Sequence, residues 1–253
     1  MTASETPRRP ARARRIARWA LLALAAALAG WTALVVHPQP LFAYTAREAN
    51  VVLHARAPFP PETGPLLKEV LRRVSRSPLY DAGRVHHVFL CDTPALFGLL
   101  ALWDYKVGGV TQTMLAGNVL IRPFDIGRGT VLGRSGEVKT GGRTLAYFLA
   151  HELTHAMTAD RIGRWRYRRL TAFQTEGYAD RVAFARPLDL RAERAALARG
   201  APEMDPRRSG LYRRYELLVD YLFERRGFDA GRLLAAPLDR RAIEAELLAD
   251  PGL

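Results

Sequence analysis

The amino-acid sequence predicts an α+β protein, on three observations: β-rich apolar runs confined to the first half, helical periodicity through the second, and one uninterrupted apolar helix ahead of both. With 253 residues and 49% hydrophobic content the chain can bury a core, and beyond its N-terminal segment it suits one domain of about 200 residues. No internal repeat is present. The lone cysteine, Cys91, excludes an intramolecular disulfide framework and a Cys-based zinc knuckle, and it reads as a small buried residue ending a strand.

The first element is the run "WALLALAAALAGWTALVV", residues 19–36, which carries no charge. As a helix it is roughly 27 Å long, just enough to cross the hydrocarbon of a bilayer. Six arginines (Arg8, Arg9, Arg12, Arg14, Arg15 and Arg18) precede it, and the next cation is Arg47. The positive-inside rule then puts a basic tail, residues 1–18, in the cytoplasm and the rest of the chain across the cytoplasmic membrane, in the periplasm or outside the cell. A cleavable signal peptide is the competing reading, because Ala27-Leu28-Ala29 supplies an A-x-A site. Cutting there would leave a short apolar core before the site and the apolar stub "WTALVV" after it, which favours an uncleaved single-pass anchor.

The net charge is +13, of which the tail contributes +5; the remaining +8 is spread as arginines interleaved with acids. No compact basic and aromatic motif accompanies it, so nucleic acid is not an expected partner.

Residues 37–47, "HPQPLFAYTAR", read as a proline-bearing linker to a domain spanning 48–253. "NVVLHA" (50–55) is a β-rich run, and Leu66, Leu67, Val70, Leu71 and Val74 form a helical stripe that stops before Pro78. "RVHHVFLC" (84–91) is a second strand, and Asp92-Thr93-Pro94 then start a helix running to Leu102. "GGVTQTMLAGNVLIRP" (108–123) predicts two strands with a turn near Gly117, followed by a glycine-rich loop over 126–142. Further helices are expected near 143–160, 171–186, 188–199, 209–226 and 238–249.

The chemistry concentrates in "AYFLAHELTHAMTADRIG", residues 146–163. Residues four apart on a helix project from one face, so His151 and His155 can meet one ion, the geometry zinc requires. Glu152 lies about 100° round the helix, beside the ion, where a carboxylate can take a proton from water activated by the metal. Gly141-Gly142 and Gly163 flank the helix. Catalytic zinc takes three protein ligands, and no histidine follows His155, so the third ligand must be a carboxylate. "AFQTEGYADRV" (172–182) offers Glu176, with Asp180 one turn later on the same face.

This spacing resembles the gluzincins, the thermolysin-like and aminopeptidase-like metallopeptidases. In them an HExxH helix is followed about twenty residues later by a helix with a glutamate ligand, and an aspartate four residues on hydrogen-bonds a ligand histidine. The "EGYAD" form with an N-terminal anchor is similar to small bacterial membrane proteins of the peptidase MA-like type. The resemblance implies a zincin-like domain in which a small mixed sheet precedes the active-site helix and a mainly helical C-terminal half. It implies Zn2+ as cofactor, His151, His155 and Glu176 as ligands, Glu152 as general base, Asp180 orienting one imidazole, and a peptide or protein substrate. Thr175 stands where thermolysin-like enzymes often have asparagine, no aminopeptidase motif is present, and no downstream histidine steadies the oxyanion. That role falls to an arginine or a tyrosine, with Tyr147, Tyr212 and Tyr215 as candidates.

Of the remaining signals, His86 and His87 are adjacent on a strand, face opposite sides and read as structural. His37 and His54 have no partner pattern. Trp165 and Tyr167 are expected to pack inward from an arginine-rich surface, and "NVLIRP" is the candidate sheet edge for an extended peptide. The competing function is a non-catalytic metal-binding protein of envelope assembly. Retention of Glu152 argues against it, because a structural metal site needs no base.

Overall fold

A computed structural model describes residues 11–102, 107–133, 136–138 and 143–253. Helix α1 (Ala11–Val36) leads through a single 3₁₀ turn into β1 (Tyr44–Glu48) and β2 (Val51–Ala55). Helix α2 (Thr63–Val74), β3 (His86–Leu90), α3 (Pro94–Leu100), β4 (Gly109–Thr111) and β5 (Val119–Ile121) follow. The sheet order is β1-β2-β3-β5-β4, with β2, β3 and β5 parallel and both outer strands antiparallel to their neighbours.

The central strands bury apolar side chains on both faces because both faces of the sheet are covered. Val51, Leu53, Val88, Leu90, Val119 and Ile121 meet the main core, whereas Phe89 and Leu120 pack with Phe42, Cys91, Phe97 and Leu100 on the other side. Strand β1 is largely exposed and carries Arg47 and Glu48, the charges that discourage a further strand from pairing there. The stretch expected to be only a linker therefore supplies the sheet's far edge. The opposite edge is β4; β5, within "NVLIRP", lies inside the sheet, a correction to the expected peptide-binding edge. The glycine-rich loop contains a short hairpin, β6 (Phe124–Asp125) with β7 (Thr130–Val131), too brief to carry a periodic signal.

Helix α4 (Leu145–Ile162) is the centre of the molecule: every residue from Leu145 to Ala159 is buried. A helix apolar on nearly all sides must be covered on all sides, here by the sheet, α2 and α6. Thr144 caps its start by accepting from the Tyr147 amide, and Gly163, at φ 87°, ends it. Gly141-Gly142 lies outside the described residues. The single turn α5 (Arg164–Tyr167) leads to α6 (Ala172–Phe184), started by a capping box in which Gln174 accepts from the Thr171 amide. The chain closes with α7 (Leu190–Ala198), α8 (Pro206–Ser209), α9 (Arg213–Arg226), α10 (Ala230–Ala235) and α11 (Arg240–Ala249). Helix α9 covers the outer side of α6. They pack tightly at Gly177, where an added Cβ would stand 2.4 Å from the Tyr215 carbonyl oxygen.

Candidate metal centre

Two consecutive long helices hold the site. One turn of α4 separates His151 from His155, and α6 packs across it so that Glu176 faces both rings. The distances are 3.1 Å from His151 Nε2 to His155 Nε2, 3.3 Å from His151 Nε2 to Glu176 Oε2 and 3.6 Å from His155 Nε2 to Glu176 Oε2. Three tetrahedral ligands each 2.0–2.1 Å from one ion stand roughly 3.3 Å from one another. The triangle of donor atoms therefore has the size a first-row metal requires, and the group could hold a metal ion.

The surroundings aim these atoms. Asp180 Oδ1 lies 2.8 Å from His151 Nδ1, close in distance though off the ring N–H line. The same oxygen accepts the Tyr147 hydroxyl. An acid at Nδ1 places the ring proton there and leaves the Nε2 lone pair facing the other two donors. His155 Nδ1 is 2.9 Å from the Tyr167 hydroxyl, which fixes the orientation of the second ring. Burial on its own would depress the His151 pKa, but Asp180 and Glu176 outweigh it and hold the imidazole well above its ordinary value. Burial likewise pushes Glu176 up, while His155 and His151 pull it further the other way, well below the usual carboxylate range.

A cavity of about 490 Å³ opens over the triad. Glu152 lines it, 7% exposed, and Glu152 Oε2 accepts from the Thr111 hydroxyl at 2.7 Å. Thr111 ends the edge strand β4, which forms one wall of the cavity. That wall comes close because its residues are small: a Cβ on Gly108 would fall 2.2 Å from the Phe148 ring, and one on Gly109 would fall 2.7 Å from Glu152 Cγ. Of the three tyrosines considered from sequence, Tyr147 is 3% exposed with its hydroxyl committed to Asp180. Tyr215 packs behind Tyr212. Tyr212 lines the cavity, its ring stacked parallel to His151 at 6.3 Å, and Arg143 lines the cavity with it.

Sequence reasoning missed Thr111 and Tyr167, whose partners are 41 and 12 residues away. It also placed Trp165 inside, whereas Trp165 is 72% exposed, because the single turn of α5 sends Tyr167 to His155 and leaves Trp165 outward. His54, expected to stand alone, meets His87 at 2.9 Å across β2 and β3 and stacks on Phe89. His86 is buried.

No protein-family model, curated protein or solved structure matches the chain. What the chain itself establishes is a mixed α/β fold, a buried His151/His155/Glu176 group able to hold a metal ion, and one N-terminal helix long and apolar enough to cross a membrane.

Proposed function

We propose that this chain is a membrane-anchored zinc metallopeptidase of gluzincin type with a zincin-like domain, hydrolysing peptide bonds outside the cytoplasmic membrane. The observation that carries the reading is the donor triangle of 3.1–3.6 Å with Glu152 lining the same cavity. Two imidazoles and one carboxylate at this spacing suit Zn2+, which takes N and O ligands and is tetrahedral in such sites. The ion, when bound, supplies Lewis acidity toward water and the scissile carbonyl.

The chain's own residues do the rest. His151 and His155 would present their Nε2 atoms to the ion, with Asp180 beside one ring and the Tyr167 hydroxyl beside the other orienting them. Glu152 accepts a proton at its carboxylate during attack and returns it to the leaving amine. The Thr111 hydroxyl sits between the Glu152 backbone carbonyl at 2.8 Å and Glu152 Oε2 at 2.7 Å, and so holds the carboxylate against the end of β4. The free side of β4 offers backbone groups to an extended peptide, and Tyr212 with Arg143 faces the cavity where the carbonyl oxygen develops charge. Helix α1 serves as the anchor. Its N-terminal arginines give the topology, with residues 38 onward on the outer face.

The test is the purified full-length chain. About one zinc per chain and hydrolysis of casein or a peptide library, abolished by Glu152→Gln with zinc retained, are the expected results. A metal-free protein, or Glu152→Gln as active as wild type, would falsify the reading.

A further inference from the structure

Helix α1 does not end free of the domain. Trp31 Nε1 donates to the Leu99 carbonyl at the end of α3, and Asn118 Nδ2 donates to the Val36 carbonyl at the end of α1. Gln112 joins the two contacts, its Nε2 donating to Leu100 O and its Oε1 accepting from Asn118. These bonds set the domain at a fixed height along the apolar helix. Trp31 stands five residues before Val36, so the end of α3 lies about 7–8 Å back along α1 from that helix's last residue. Because the charge-free stretch is scarcely long enough to span a bilayer, that height falls inside the outer edge of the hydrocarbon.

The residues at this height have the composition such a position demands. The run "PALFGLLAL", 94–102, contains no charged or hydrogen-bonding side chain. Phe97 and Leu100 face the core, while Ala95 is exposed, Leu96 and Leu99 are half-buried and Leu102 is 53% exposed. A surface helix beside water carries polar residues on its outer face, and this one carries none. The β4–β5 turn next to it, "TMLAG", exposes Leu115. Thr111 and Thr113, on either side of Gln112, line the catalytic cavity.

From these contacts we propose that α3 and the β4–β5 turn rest in the outer leaflet beside the anchor, and that the cleft therefore takes polypeptide lying close to the bilayer surface. The lipid contact rests on α1 being a retained anchor, and the substrate class rests on the peptidase reading. The occupant is lipid rather than another protein because the patch is continuous with the membrane-spanning helix and fixed to it by Trp31 and Asn118.

The experiment uses the full-length chain in phosphatidylcholine and phosphatidylglycerol vesicles, labelled at one introduced cysteine: Leu102→Cys, Leu115→Cys, Leu24→Cys on α1 or Ala242→Cys on α11. The native Cys91 is buried, its pKa pushed up to about 12 by burial, and stays unlabelled. Probes at 102 and 115 should lose most of their emission to nitroxide-bearing lipid and resist aqueous iodide, while 242 does the reverse. If 24 is quenched by lipid but 102 and 115 behave like 242, the leaflet contact is wrong although the anchor stands. Lack of quenching at 24 overturns the anchor itself. Shielding from iodide without quenching by lipid gives the face to a protein partner and overturns the proposal. In the same vesicles a peptide tethered to lipid by a short spacer should be cut faster than one on a long spacer. Equal rates overturn the substrate class, and no cleavage of either overturns the peptidase reading.

Discussion

At the scale of single residues the proposed function separates the groups that would hold a metal from the one that would use it. Glu152→Gln should leave zinc stoichiometry unchanged and lower kcat by roughly 10²–10⁴, since only the proton acceptor is lost. Thr111→Val keeps the carboxylate but removes the hydroxyl that lies 2.7 Å from its Oε2 and 2.8 Å from the Glu152 backbone carbonyl, so kcat should fall by a smaller factor with metal content intact. Asp180→Asn should instead weaken zinc affinity about 10–100-fold, measurable by competition with a chelator; an unchanged affinity would remove Asp180 from its orienting role. Glu216 on α9 presents a different case. It is fully buried and its carboxyl oxygens have no hydrogen-bond partner among the described residues. Burial, then the nearby Asp180 and Asp220, lift its pKa to about 8 against the weaker pull of Arg186 and Arg213. A raised acid pKa means the folded state holds a proton the unfolded chain has released, so stability present below the ordinary carboxylate range is lost as pH rises toward 8. Glu216→Gln should flatten that decline and stabilise the protein at neutral pH by up to a few kcal/mol, which urea unfolding at several pH values would measure.

At the scale of elements, the geometry of the donor triangle depends on how α6 crosses between α4 and α9. Gly177 is the residue that permits it. A Cβ there meets the Tyr215 backbone carbonyl, which has no rotamer to yield, unlike the Phe148 and Glu152 side chains that Gly108 and Gly109 face. Gly177→Ala should therefore push α6 off α9, destabilise by about 1–3 kcal/mol and weaken zinc binding, because Glu176 is the adjacent residue. Unchanged melting and metal affinity would show that the two helices part without moving Glu176. The elements that hold ligands were legible from sequence because their signals are local: the four-residue spacing of His151 and His155, the apolar run around Glu176 and Asp180, the unbroken Val88–Leu90 and Val119–Ile121 strands. What was not legible is relational. Strand β1 is mostly exposed and shows no buried alternation, and the order that makes β4 the edge in place of β5 is a property of pairing, not of either strand's composition. The same is true of Thr111 with Glu152, and of His54 with His87, which meet because parallel register sets His54 opposite Phe89, two residues beyond His87 on one face.

Across the whole molecule, the donor atoms come from the most buried helix and from the helix packed directly on it, so a bound ion cross-links the centre of the fold and not its rim. Anything that binds the folded state alone stabilises it by mass action, about 2.7 kcal/mol when free metal is a hundredfold above its Kd. For a domain of roughly 200 residues that corresponds to a rise in Tm of about 5–10 °C. Because α4 packs on the sheet, on α2 and on α6, its loosening cannot stay local, and the chelated protein should melt in one cooperative transition at the lower temperature. Glu176→Gln removes one corner of the triangle, so its Tm should match that of chelated wild type and stay unmoved by EDTA, whereas Glu152→Gln should keep the full metal-dependent shift. Calorimetry of the three proteins with and without chelator separates the roles: equal melting of chelated and metal-loaded wild type would mean the buried His–His–Glu group holds no ion in the folded chain.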